Sequence, residues 1–174
     1  PLISGWSEST ESDTAQIRWA AASPLPIEEI SPWRFAAPLS PHRAAALEGR
    51  QIDVDAVVAW TRAKAMAPGP ALFEAVGGVM APLTDSKTTL DWMAAVGIPI
   101  ILVTGSYLGS ISHTLSAMEV LRARGLHIAA LVMNESAGSS VTLAEAEAGL
   151  ATFIADIPLR TYQPLVSSWR EAKQ

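Results

Sequence analysis

The chain has 174 residues, 49% of them apolar, with 17 acidic against 12 basic side chains and a formal net charge of -5. That length supports one domain with a substantial core. The acidic balance argues against a nucleic-acid surface, which needs an excess of Lys and Arg. Cysteine is absent, which excludes disulfides, thiol catalysis and thiolate metal sites.

No apolar run approaches the ~18 residues of a membrane span; the longest, residues 98–103, has strand length. The first residues lack the charged-then-apolar pattern of a secretory leader, and a cytoplasmic location is the expectation. Pro1 opens directly in P-L-I-S-G, which reads as the tail of a strand, so further sequence is expected upstream of it.

After this strand tail (residues 1–4) and a polar loop (5–10), Ser12 or Asp13 can cap a helix to about Ala22, with Ile17, Trp19 and Ala20 apolar. Residues 23–41 hold five prolines, Pro24, Pro26, Pro32, Pro38 and Pro41, and read as an ordered loop. A short helix over 42–47 ends at Gly49. Ile52-Asp53 then opens a helix over 54–65, with Val54, Val57, Val58 and Thr61 on one face. Pro68-Gly69-Pro70 breaks it, and residues 71–76 read as a short apolar strand running into a Gly-Gly turn.

Thr84-Asp85-Ser86 starts a helix over 88–96, closed by Gly97. Residues 99–104 read as a buried parallel-type strand, unalternating because both faces would be covered. A loop, 105–110, precedes a long helix over 111–124 with Leu115, Met118, Val120 and Leu121 inward and Gly125 as its cap. A strand over 128–133 ends at Asn134-Glu135. Thr142 caps a helix over 142–154, residues 157–162 form a last strand, and the tail after Gln163 is placed at the surface. Strands alternating with helices predict a single α/β domain over residues 1–174, a parallel sheet covered by helices on both faces.

In such sheets ligands bind beyond the carboxyl ends of the strands. Glu74 stands among Phe73, Ala75 and Val76, and a charge in that apolar setting costs several kcal/mol, roughly, unless a cation, a metal or a set of donors compensates it. Gly77 and Gly78 let the backbone turn tightly and approach a ligand. Asp13 is either an ordinary helix cap or a second carboxylate sharing one hard cation with Glu74. Gly109-Ser110-Ile111-Ser112-His113 opens a helix whose free N–H groups favour an anion or meet water. Asn134 can read a heterocycle edge or serve as a turn residue.

His113 reads as a structural hydrogen-bonded residue, and His42, His113 and His127 do not form a metal-ligand spacing. The five methionines read as core fillers. Trp19, Trp60 and Trp92 are expected in the core, and Trp6, Trp33 and Trp169 partly exposed.

Several longer blocks stand in order: P-L-I-S-G at the start, S-D-T-A at 12–15, and I-S-P-W-R-F-A-A-P-L-S-P-H at 30–42 with E-G-R at 48–50. E-A-V-G-G at 74–78, A-P-L-T-D at 81–85, I-L-V-T-G-S-Y-L-G-S-I-S-H-T at 101–114 and V-M-N-E at 132–135 follow. Together they resemble the dethiobiotin synthetase family, ATP-dependent carboxylases of biotin synthesis, over nearly the whole chain. The resemblance implies a phosphate-loop NTPase-like fold, with Asp13 and Glu74 helping to hold Mg²⁺ on the ATP phosphates and Gly77 beside the nucleotide. It places Ser4 as a catalytic residue near the transferring phosphoryl group or the substrate, and Asn134 at adenine. It further implies that Gly109, Ser110, Ile111 and Ser112 bind the carboxylate of 7,8-diaminopelargonate across the two-fold interface of a homodimer. The implied chemistry is capture of CO₂ by an amine, phosphorylation of the carbamate, and ring closure by the neighbouring amine.

The family's first strand, Gly-rich phosphate loop and helix are not among the 174 residues; Lys64, Lys87 and Lys173 stand in no phosphate-loop context. Without that unit the segment is expected to bind ATP poorly. Ala75 replaces a usual Gly, and Ser112 replaces an Asn found in many members. The alternative from another class is a non-catalytic dimerising or small-acid-binding module. A weaker one is a phosphate-loop relative acting on a different amine or carboxylate.

Overall fold

Glycine and proline set many of the element boundaries in this chain. The computed structural model describes residues 1–8 and 12–163, so the expected surface tail and Trp169 lie outside the described residues. It divides into two compact units, Pro1–Val96 and a second beginning at Gly97.

In the first unit, β1 (Leu2–Ser4) pairs in parallel with β2 (Trp33–Phe35), in the register Leu2↔Trp33, Ile3↔Arg34, Ser4↔Phe35. Around this sheet stand α1 (Asp13–Ala20), α2 (Ile27–Ile30), α3 (Pro41–Leu47), α4 (Val54–Ala65) and α5 (Thr89–Val96). The core packs Leu2 and Phe35 of the sheet against Ala44, Val57, Val58 and Trp92 of the helices. Two of its polar side chains are paired: Trp92 Nε1 donates to Thr61 Oγ1 at 3.1 Å, and that hydroxyl donates to Val57 O at 2.8 Å.

Several expectations fail in this unit. The proline segment is not all loop, because Pro26 sits where a helix N-cap needs extended backbone (φ -67°, ψ 157°) and leaves room for the single-turn α2. Pro32 then leads into β2. Residues 71–76 form no strand, since among the described residues no neighbouring strand offers them a ladder. Trp19 is not core but 69% exposed, because α1 is short and buries Thr14, whose Oγ1 lies 2.8 Å from Ser31 Oγ.

In the second unit, β3 (Ile100–Gly105), β4 (Ile128–Asn134) and β5 (Leu159–Tyr162) lie side by side in that order, all parallel. Long crossovers containing α6 (Ser110–Ala123) and α7 (Leu143–Leu150) join them, as parallel pairing requires. Met118 and Leu121 of α6, Leu131 and Met133 of β4 and Leu150 of α7 are fully buried. The methionines are thus divided: Met66 and Met80 are exposed. The strand β3 is less covered than expected, with Ile101 and Val103 half exposed. Helix α6 packs on the opposite face, where Thr104 Oγ1 meets Thr114 Oγ1 at 2.7 Å.

Helix α7 ends at Leu150, short of residue 154, and begins with a full capping box. Thr142 N–H and Oγ1 donate to Glu145 Oε2 at 2.9 and 2.6 Å, and Glu145 N–H donates back to Thr142 Oγ1 at 3.2 Å. The Thr142 hydroxyl, then its N–H, holds the Glu145 carboxyl below the usual range. A lowered folded-state value contributes stability that is present above the ordinary glutamate range and is lost as pH falls through the folded value. The protection factor of the Ala146 amide, which donates to Thr142 O, is therefore expected to fall, relative to the intrinsic exchange rate at each pH, as pH drops below the ordinary glutamate range. A Glu145→Gln variant should show less of that pH dependence.

Candidate functional site

An open cleft of about 590 Å³ in the first unit is walled by Pro1, by Leu2 and Ile3 of β1, by Asp13 of α1, and by the segment that carries Glu74 and Gly77. Local structure aims both carboxylates outward. Ser12 is the N-cap of α1, its Oγ accepting from Ala15 N–H at 3.4 Å, so Asp13 is not the capping residue and its side chain is exposed. Phe73, Ala75 and Val76 pack against the core, Phe73 edge-on to Trp60 at 6.0 Å between ring centroids. Glu74 lies between these inward residues and is exposed in the cleft wall.

The expected apolar burial of Glu74 is thus incorrect: Phe73, Ala75 and Val76 are the residues that pack on the core, and Glu74 between them is left exposed. Neither Asp13 nor Glu74 joins an ion pair with another side chain among the described residues. No cluster of three or more His, Asp or Glu occurs among those residues. Two carboxylates in an open cleft nonetheless fit Mg²⁺, which takes one or two protein carboxylates and completes its shell with water and phosphate oxygens. Ser4 ends β1, one residue beyond Ile3, outside the set that lines the cleft.

Gly77 holds φ at +72°, and a Cβ there would stand 2.9 Å from Ala81 Cβ. Gly77→Ala is expected to cost about 1–2 kcal/mol for the left-handed backbone alone, and more for the contact. A lowered urea midpoint checks this; an unchanged one shows that the turn can relax.

The second unit has its own cluster at the carboxyl edge of the sheet. Gly105 and Asn134 are register partners, and the loops that follow are tied together: Ser106 N–H donates to Asn134 O at 3.0 Å, and Ser136 N–H to Ser106 Oγ at 3.1 Å. Gly109, at φ +95°, is the N-cap of α6 without a capping side chain. Ser110 N–H is used by Tyr107 O, whereas no bond ties the N–H groups of Ile111 and Ser112 among the described residues. Ser110 is buried with its Oγ unpartnered, and Ser112 is exposed. Gly149 leaves the space that the Ile111 side chain fills: a Cβ there would meet Ile111 Cδ1. Tyr107, whose hydroxyl lies 3.0 Å from His113 Nδ1, and the Ser106–Ser136 tie were missed from sequence. An S-Y pair directly after a strand end was the signal.

A family model described as an AAA domain matches residues 1–162. The ATP-dependent dethiobiotin synthetase BioD of Acidiphilium cryptum (strain JF-5) is 48% identical over 141 residues, covering 77% of this chain and 63% of that protein. The protein of the same name from Caulobacter vibrioides (strain NA1000 / CB15N) is 46% identical over 142 residues, 78% of this chain and 64% of its own length. That of Caulobacter sp. (strain K31) is 42% identical over 173 residues, 97% of this chain and 74% of its own. The chain therefore spans a little under two thirds of the first two of these relatives. Parallel sheets flanked by helices and the domain match give an α/β fold of the phosphate-loop NTPase type. At 42% identity over nearly its whole length to a protein of which it covers 74%, this chain belongs to the dethiobiotin synthetase family.

Proposed function

We propose that this protein catalyses the ATP-dependent carboxylation and ring closure of 7,8-diaminopelargonate to dethiobiotin, in the cytoplasm and as a homodimer. The observation that carries the proposal is the shared cleft of Asp13 and Glu74, two exposed carboxylates with no side-chain partner. There they would hold Mg²⁺, which when bound neutralises the charge of the ATP phosphates. Gly77 keeps Cβ bulk away from the same wall.

One amine of the substrate attacks CO₂ to give a carbamate, and a carbamate oxygen takes the γ-phosphoryl group of ATP, releasing ADP. The second amine then attacks the activated carbonyl and expels phosphate, closing the cyclic urea. The protein's part is positioning and charge stabilisation rather than covalent chemistry. Ser4, at the end of β1 and one residue past the cleft lining, would reach the transferring phosphoryl group or the substrate. The N–H groups of Ile111 and Ser112, after Gly109 and Ser110, receive the substrate carboxylate at the positive end of α6, with the site completed across the dimer interface. Asn134 pairs with adenine through its amide.

The test supplies the chain, joined to an amino-terminal phosphate-loop unit of the family, with 7,8-diaminopelargonate, ATP, Mg²⁺ and isotopically labelled bicarbonate. Label is expected in the ring carbonyl of dethiobiotin with stoichiometric release of phosphate. No labelled ring from well-folded protein would remove the proposal.

A further inference from the structure

Strand β2 has two edges. On one it pairs with β1: Trp33 N–H donates to Pro1 O at 3.2 Å, and beyond the strand ends Trp6 N–H donates to Phe35 O at 3.0 Å and Gly5 N–H to Ala37 O at 2.9 Å. Backbone groups of alternate residues point to opposite edges, so Arg34 O and Ala36 N–H face away from β1. Among the described residues no strand pairs with them.

Both are nevertheless satisfied, by side chains. Ala36 N–H donates to Glu48 Oε1 at 2.7 Å, and Arg50 Nη1 donates to Arg34 O at 2.9 Å. The two side chains are joined, Arg50 Nη1 to Glu48 Oε2 at 3.0 Å. One acceptor and one donor, set against a donor and an acceptor two residues apart, is what a neighbouring strand would present. Gly49, at φ +64°, reverses the chain at the end of α3 and lets Glu48 and Arg50 reach the same edge. The Arg50 guanidinium also lies over the ring of buried Phe35, 4.5 Å from its centroid. The Ala36 N–H, then Arg50, holds the Glu48 carboxyl below its usual range.

An exposed ion pair alone contributes little. Here it acts on two strands of three residues each, and a two-stranded sheet of that size is not stable by itself. We propose that Glu48 and Arg50 form a side-chain substitute for a third strand, and that by fixing the register of β2 against β1 they are positioning residues for the cleft. β1 carries the effect: with Pro1 just before it, it supplies Leu2 and Ile3 to the cleft wall and ends at Ser4. The catalytic half of this inference rests on the function proposed above; the structural half does not.

Amide exchange in wild type, Glu48→Gln, Arg50→Ala and Arg50→Lys decides the structural half. Glu48→Gln and Arg50→Ala are expected to speed exchange at Ala36 about tenfold or more, and also at Gly5 and Trp6 on the far side of β2. Ile100 and Leu131, in the other unit, should be unaffected. Arg50→Lys should recover part of the protection, because an ammonium can bridge Glu48 and Arg34 O but cannot stack on Phe35. Unchanged exchange at all three amides, or a change confined to Ala36, overturns the proposal.

In the ring-closure assay, Arg50→Ala is expected to raise KM for the diamine about tenfold, with kcat less affected and Arg50→Lys intermediate. An unchanged KM in a variant whose Gly5 and Trp6 amides have opened overturns the positioning role. A wild-type chain without ring closure defeats the proposed activity instead, and the exchange result still decides the substitute strand.

Discussion

Glu74→Gln is expected to lower ATP-dependent ring closure by on the order of 10²-fold or more, the scale at which a metal or a preorganised group stabilises phosphoryl charge. The amide keeps the shape of the side chain and removes its charge. Because Glu74 is exposed and takes no part in the core, which is packed by Phe73, Ala75 and Val76, the urea midpoint should stay close to that of wild type. Loss of activity with stability retained assigns the carboxylate to the chemistry. Activity within about threefold of wild type would remove Glu74 from the site, since a charge on bound phosphate is worth more than that. Raising the Mg²⁺ concentration should restore part of the rate if Glu74 acts through the cation.

The largest stability effect is expected at Phe35→Ala, which should cost about 3–5 kcal/mol. Phe35 is 1% exposed, packs with Leu2, Val57 and Trp92 in one core, and carries the Arg50 guanidinium on its ring. Five of the six tryptophans, Trp6, Trp19, Trp33, Trp60 and Trp92, precede residue 97. Tryptophan fluorescence in a urea titration therefore reports mainly on the unit that contains Phe35. Phe35→Leu, closer in volume, should lose less. A loss below about 1 kcal/mol for the alanine variant would mean that the β1–β2 sheet is not what organises this core.

Much of the architecture could be read from particular residues. The apolar run before Thr104 gave a strand, the inward spacing of Met118 and Leu121 gave α6, Gly125 closed it, and Thr142 opened α7. These elements are long, or capped by residues with one dominant use. β2 and α2 were missed because three residues and one turn are too short for periodicity, and the surrounding prolines spoke for a loop. The segment at 71–76 erred the other way: its composition is that of a strand, but a strand also needs a partner.

The candidate site divides along the same line. Sequence alone proposed Asp13, Glu74, the Gly77 turn and the open start of α6 as candidates, since a lone charge in an apolar run, a Gly-Gly turn and an uncapped helix start are local patterns. Only the tertiary structure decided that Ser12 rather than Asp13 caps α1, that Glu74 faces a cleft instead of the core, and that Glu48 and Arg50 reach the outer edge of β2. Each of these depends on which groups distant in the chain are brought together. Local propensity fixes how a segment curves, whereas burial, pairing and charge environment belong to the neighbours that packing supplies.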